Sequence, residues 1–297
     1  MTDELPVEEE ESPEEERRGT PFLVLQFFIF PLAIVAVCVT VFVLFGLIAA
    51  ERKSARDYLS EIRSGSSNTR WQAAYALSSL VQGGGKKALS DPRFVPEALA
   101  LFEHAGNDDP RVRRYLAVTL GRLGDSRAVP VLSRFLEKAT PDTDSETQIY
   151  ATWALGALAD SSAVPLLVRL STSEDKGLRK TAVHSLLPFS GPEVDQALEA
   201  ALKDSVEDVR WNAAIALAGR KNELARPVLL EMLDRAHLAR VEGLTPEQRQ
   251  EALLGAVVAA RSLGGEALDN ALSGLADHDP DVRVREAAQE AVRALHP

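Results

Sequence analysis

Cysteine is nearly missing: the 297-residue chain has one, Cys38. A single thiol excludes an intrachain disulfide and any zinc site built from several cysteines. Aromatic residues make up only 6% of the chain, while Leu, Ala, Val, Arg and Glu dominate. That mix favours helices over sheets, because Ala, Leu, Arg and Glu cost little in a helix interior. Positive charge is short as well: 33 Lys and Arg stand against 44 Asp and Glu, a formal net charge of −11. Residues 1–19 hold nine of the acids (Asp3, Glu4, Glu8–Glu11, Glu14–Glu16) against Arg17 and Arg18, a net −7. The rest carries only −4, and so balanced a body gives no electrostatic reason to expect a nucleic acid as partner.

Catalytic and metal signatures are also wanting. GGGKK at 83–87 has Leu80 where a phosphate loop needs Gly, and Lys86 is followed by Lys87 where it needs Ser or Thr, so it reads as a flexible inter-repeat loop. His104, His184, His237, His278 and His296 are scattered singly, with no pair at ligand spacing on a helix. No Gly-x-Ser-x-Gly elbow is present. The acids of DHDPD at 277–281 lack the spacing and the glycine of a calcium loop and read as helix caps.

What the chain does have falls into three segments, expected at 1–20, 21–50 and 51–297. The first is acidic, holds Pro6 and Pro13, offers almost nothing to bury, and is expected to be a disordered tail. The second, PFLVLQFFIFPLAIVAVCVTVFVLFGLIAA, has no charged side chain. Spanning a bilayer takes about 20 apolar residues. Leu32 to Ala50 is long enough even if Pro31 ends the preceding stretch. The run is too long for a signal peptide, its leading region is acidic, and Ile48 blocks cleavage after Ala50. The reading is an uncleaved single-pass anchor. Arg52, Lys53, Arg56 and Arg63 follow it, against Arg17 and Arg18 before it, which places residues 51–297 in the cytoplasm. The Ala- and Arg-rich composition points to a bacterial inner membrane.

The third segment repeats itself. GDSRAVPVL at 124–132 returns as ADSSAVPLL at 159–167, 35 residues on. A second phrase, Arg followed by an alanine-rich stretch and an apolar residue seven positions later, starts at Arg70, Arg113, Arg179, Arg210, Arg249 and Arg285, with Gln148 in place of Arg in QIYATWAL. The seven starts are 43, 35, 31, 31, 39 and 36 residues apart, the period of a stacked two-helix unit. An upstream helix belongs to each, expected near 52–63, 92–104, 127–137, 162–171, 192–203, 224–240 and 266–276. Asp and Pro at the joins, as in NDDPRVR and DHDPDVR, suit helix starts.

These phrases resemble HEAT repeats, specifically the short type of phycobilisome-lyase-like proteins, over everything after the anchor. The resemblance implies an all-α fold: a right-handed α-solenoid of about seven helix pairs, second helices on the concave side, preceded by the transmembrane helix. It does not imply lyase chemistry. AHLARVEGLTPEQ at 236–248 inserts extra residues into the sixth unit, and insertions in solenoids collect on one face. The recurrent arginines, Arg70, Arg113, Arg179, Arg210, Arg249 and Arg285, are read as structural: each is expected to reach a carboxylate or carbonyl of the neighbouring repeat. The competing reading is a guanidinium ladder for an acidic partner. Trp71 and Trp211, each directly after such an Arg, are candidate anchors for a partner.

The function that follows is a membrane-anchored scaffold, an accessory or assembly factor of a membrane complex. It would hold a protein or peptide in its groove and have no catalytic residues, cofactor, metal or small-molecule substrate. The alternative is a bilin-lyase-like enzyme or enzyme-accessory protein, and a third reading is a spacer between the membrane and another protein.

Overall fold

The structure, a computed structural model, describes residues 25–49, 53–84, 91–140 and 143–295. The acidic tail and the stretch from Gly85 to Ser90 lie outside them, and so do the expectations made for both. The chain divides into two units, Met1–Lys53 and Ser54–Pro297.

In the first unit a π-helical turn, Leu25–Ile29, leads into helix α1, Phe30–Ala49. Pro31 falls in the first turn of α1, where backbone N–H groups have no helical partner and its missing donor costs nothing. The window Phe27–Leu44 has a mean hydropathy of 2.9, and none of it is buried. It is long and apolar enough to cross a membrane.

The described residues of the second unit form helices and turns, with no strand among them. The helices pair in chain order. They are α2 (Ala55–Ser64) with α3 (Ser67–Gly84), α4 (Phe94–His104) with α5 (Pro110–Leu123), and α6 (Val129–Glu137) with α7 (Ser145–Leu158). Then come α8 (Val164–Leu170) with α9 (Lys176–Ser185), and α10 (Pro192–Ala201) with α11 (Glu207–Gly219). The last two pairs are α12 (Arg226–Leu233) with α14 (Pro246–Leu263), and α15 (Glu266–His278) with α16 (Val282–Leu295); a short extra helix, α13 (Arg235–Arg240), sits inside the sixth. Seven pairs stack into an α-solenoid, each second helix packing against the second helix of the next unit.

Local chemistry sets the ends. Asp109, Asp144 and Asp175 cap second helices by accepting hydrogen bonds from backbone N–H groups. The repeated D-x-x-A-V-P phrase makes a short 3-10 turn, Ser126–Ala128 and Ser161–Ala163, before Pro130 and Pro165 enter the first turn of α6 and α8. The sixth first helix departs from the single run expected over 224–240. It breaks at Asp234, whose extended backbone ends α12 and whose carboxylate accepts from the N–H of Ala236 to start α13.

The core follows the repeat. Three, four and seven residues after the recurrent Arg position lie Ala73, Ala74 and Leu77, then Leu116, Ala117 and Leu120, then Ala213, Ala214 and Leu217, all buried. Small residues let the second helices close up. A Cβ added to Gly121 would lie 2.8 Å from the Cα of Ala154, and one on Gly156 2.7 Å from the Cα of Ser185. Gly156→Val should therefore destabilise the solenoid by about 1–3 kcal/mol through overpacking between α7 and α9, read as a lower melting temperature with helical circular dichroism retained at low temperature.

Candidate functional site

The recurrent arginines point to the turns that join first and second helices. Arg179 binds Asp204 of the next unit through Nε–Oδ2 at 2.8 Å and Nη2–Oδ1 at 3.1 Å, and its Nη1 donates to the Ser173 carbonyl at 2.9 Å. Arg210 donates to the main-chain carbonyl of the same Asp204 at 2.7 Å. Arg70 reaches the carboxylate of Asp108 in the second unit. Arg113, Arg249 and Arg285 instead hold turns of their own units, through the carbonyls of Phe102 and Glu103, of Val241, and of Asp279 and Pro280. The guanidinium of Arg113 also lies 5.6 Å from the Phe102 ring and 5.2 Å from that of Phe135 in the next unit. The expectation that every arginine crosses to a neighbouring repeat therefore needs correcting. By hydrogen bonds, Arg70 and Arg179 cross; Arg113, Arg210, Arg249 and Arg285 brace the turn inside the unit, because that turn lies one helical turn before their own Cα.

A second row escaped the sequence reading. The residue after the recurrent position also crosses: Arg114 to Asp144 (Nε–Oδ2 3.0 Å, Nη2–Oδ1 2.8 Å), Lys180 to Asp208, and Gln250 to Asp281. Arg114 and the Thr147 bonds hold the Asp144 carboxyl down at about 2, below its ordinary 3.8. Arg179 likewise lowers Asp204. The signal was present in the sequence as an acid near the start of the following second helix, but a row of Arg, Lys and Gln does not read as one letter.

Trp71 and Trp211 separate. Trp211 is 4% exposed, packed in the core with its Nε1 buried. It cannot anchor a partner from there, which corrects that expectation. Trp71 is half-buried, donates to Asn68 at 2.9 Å, and carries the Arg111 guanidinium 4.0 Å from its ring centroid.

The open face of the second-helix row lies on another register. Five residues after the recurrent position stand Tyr75, Val118, Trp153, His184, Ile215 and Leu254, with Glu290 in the last unit. Beside them lie Tyr115, which meets Tyr75 edge-to-face at 5.2 Å, Tyr150, Leu187 and Val258. Tyr75 is 52% exposed, Tyr150 38%, Leu187 39% and Val258 54%. This side of the stack is thus partly aromatic, open at Tyr75, Tyr150, Leu187 and Val258, half-buried at Trp153, Ile215 and Leu254, and closed at Val118. Desolvation and the Lys180 cation push the His184 imidazole below its ordinary value.

Away from this face, two adjoining hollows of about 350 and 320 Å³ flank Arg113, and one of about 620 Å³ lies between the fourth and fifth units beside Arg179 and Asp204. Among the described residues no three His, Cys, Asp or Glu side chains are grouped to hold a metal ion.

Two outcomes follow. Arg179→Ala leaves Asp204 without its bidentate partner across a unit boundary and should cost about 1–3 kcal/mol, measured by thermal or urea unfolding. The carboxyls of Asp144 and Asp204 are depressed in the folded state, so the stability they contribute is complete above the ordinary carboxyl range and is lost as pH falls from about 4 towards 2. Acid unfolding should begin in that window, and Arg114→Gln should flatten the profile there.

Known families and folds place the chain. It matches the model of HEAT repeats over residues 133–218 and that of the PBS lyase HEAT-like repeat over 112–138. No curated protein sequence matches it. Among solved structures it is similar to the complex of CpcE and CpcF of phycocyanin lyase from Nostoc sp. PCC7120, at 20% identity over 83% of this chain and 97% of that one, with a TM-score of 0.52. It is also similar to the archaeal HEAT-like repeats protein from Thermococcus onnurineus NA1 (17% identity, 82% and 98% covered, TM-score 0.45). A designed armadillo repeat protein in complex with the peptide (KR)4 is a further neighbour (17% identity, 82% and 100% covered, TM-score 0.44). At these identities the likeness is one of fold. Residues 112–218 thus match HEAT-repeat families, the phycobilisome-lyase-like type among them, within a stack of seven helix pairs.

Proposed function

We propose that the protein is a membrane-anchored scaffold whose second-helix face docks a protein or peptide partner, with α1 as the single-pass anchor of an inner-membrane protein and the solenoid in the cytoplasm. The observation that carries this reading is the line from Tyr75 to Val258. A solenoid buries what its stacking needs, and Tyr75, Tyr150, Leu187 and Val258 are left exposed beyond it. Exposed aromatic and aliphatic side chains, rimmed by charged pairs, are the usual make-up of a protein-binding patch. The cations after α1 favour the cytoplasmic side. A scaffold needs no reacting groups.

The test is capture from native membranes by a photo-crosslinker placed at Trp153. Tyr150→Asp with Leu187→Asp should lower the yield at least about tenfold, since two central contacts of a patch are worth more than 1 kcal/mol each. The melting temperature should stay unchanged, because neither side chain is in the core. Equal capture by the double variant would sink the docking face. A visible absorbance band on adding a bilin to the purified chain would instead favour the enzyme or enzyme-accessory reading. Protease added outside spheroplasts should leave the solenoid whole.

A further inference from the structure

We propose that the first helix pair has a second binding partner, the anionic lipid surface beside which the anchor ends; this rests on α1 spanning a membrane. Charge along the chain is divided unevenly. Residues 51–93 hold eight cations (Arg52, Lys53, Arg56, Arg63, Arg70, Lys86, Lys87, Arg93) against four acids (Glu51, Asp57, Glu61, Asp91), a net +4. With the −7 of the tail set aside, residues 94–297 carry −8. The portion tethered to the apolar helix is therefore net basic in an acidic protein, as residues 111–138, farther along, also are. Only six residue steps link Ala49 to Ala55, a reach of at most about 20 Å.

The end helix displays that charge outward. Leu59 and Ile62 bury one side of α2. Arg56, Ser60 and Arg63, three or four residues apart, form a line on the exposed side, with Asp57 exposed beside them. The side chains of Arg56 and Arg63 are 57% and 63% exposed, and that of Arg93, at the start of α4, is 70% exposed. Each of these arginines has an acid beside it. Asp91 is shared by Arg56 at 3.6 Å and Arg93 at 3.5 Å, Glu97 takes Arg63, and Asp57 closes the capping box with Ser54. Glu61 is half-buried.

A terminal repeat must be polar to keep the stack soluble, but it need not be of one sign. The other end makes the comparison. The outer side of α16 alternates Arg283, Glu286, Glu290 and Arg293, with Arg283 drawn onto Asp281 at 3.8 Å and Glu290 onto Arg261 at 3.5 Å. Both ends are capped with charges of both signs; the one next to the anchor exposes Arg56, Arg63 and Arg93 beside Asp57. Attraction to anionic headgroups reaches about a Debye length, ~8 Å at physiological salt, and each Lys or Arg held there raises the bound population about fivefold.

The experiment uses the full chain with Cys38→Ser and a dye on Ser60→Cys, or on Asn270→Cys far along the stack. The chain is reconstituted into vesicles of phosphatidylcholine alone, or mixed with phosphatidylglycerol, each doped with a headgroup-labelled acceptor lipid. Energy transfer from position 60 should report an apposed-to-detached ratio at least about tenfold higher on the anionic vesicles, lost in high salt, with position 270 unmoved. The triple variant Arg56→Gln, Arg63→Gln, Arg93→Gln should abolish the difference, and the corresponding triple Lys variant should keep it. Equal transfer from position 60 on both vesicles, an equal rise at position 270, or an unaffected Gln variant overturns the proposal. Flotation of the same chain with neutral vesicles after alkaline carbonate tests the anchor separately. A chain that does not float overturns the anchor and this inference with it, whereas one that floats but ignores lipid charge overturns this inference alone.

Discussion

An aspartate shared by two arginines is what lets one unit follow another. Asp204 gives its carboxylate to Arg179 of the unit before it and its main-chain carbonyl to Arg210 of its own unit. Asp279 does the same between Arg235 and Arg285, with its side chain wholly out of solvent. A carboxylate at a turn is free to move; one fixed from both sides sets the distance and tilt between consecutive second helices. The close approach at Gly121 and Gly156 and the buried Ala-Ala-Leu sets need that spacing held, because packed interiors leave little room for error. The polar ladder and the apolar core are therefore one constraint seen from the turn and from the helix middle.

Because each such joint concerns only adjoining units, the stack is close to one-dimensional. Burial, too, is settled between neighbours, which leaves one register of the second helices only partly covered. That register is where Tyr75, Trp153, Ile215 and Leu254 lie. In a globular domain a Trp and several partly exposed aliphatics in a row would be drawn inward; here the inward positions are already filled by alanine and leucine from both flanking helices. The partly open apolar line is a consequence of how the fold closes its core.

How far the sequence could be read follows from the same geometry. The period, the seven pairs and the apolar anchor-like helix were legible because helical burial imposes a pattern along the chain. Trp71 and Trp211 looked alike, each directly after an Arg, yet one is half-covered by Arg111 and the other is in the core. The difference lies in what the neighbouring unit supplies, and a single unit's spelling does not contain it. The crossings of Arg114, Lys180 and Gln250 were hidden for a related reason: three residue types serve one position, since any donor long enough can reach the next unit's acid. Asp204 and Asp279, each six residues before a recurrent Arg, were the readable sign of the shared aspartate.

The sixth unit shows what the joint demands when the repeat is interrupted. By register Arg249 should take Asp279, as Arg179 takes Asp204. Instead, the residues inserted before α14 draw Arg249 back to the Val241 carbonyl at 3.3 Å and leave its Nε buried without a partner. The break at Asp234 starts α13, and its first residue, Arg235, reaches across to Asp279 with both Nε and Nη2, the latter at 2.6 Å. A buried carboxylate stripped of its cation would be costly, whereas lengthening a surface turn costs little, because loop-closure entropy grows only slowly with length. The insertion is tolerated because Arg235, immediately before it, replaces the contact it displaces. The position of the guanidinium in the sequence has changed, while its place in space against Asp279 is kept.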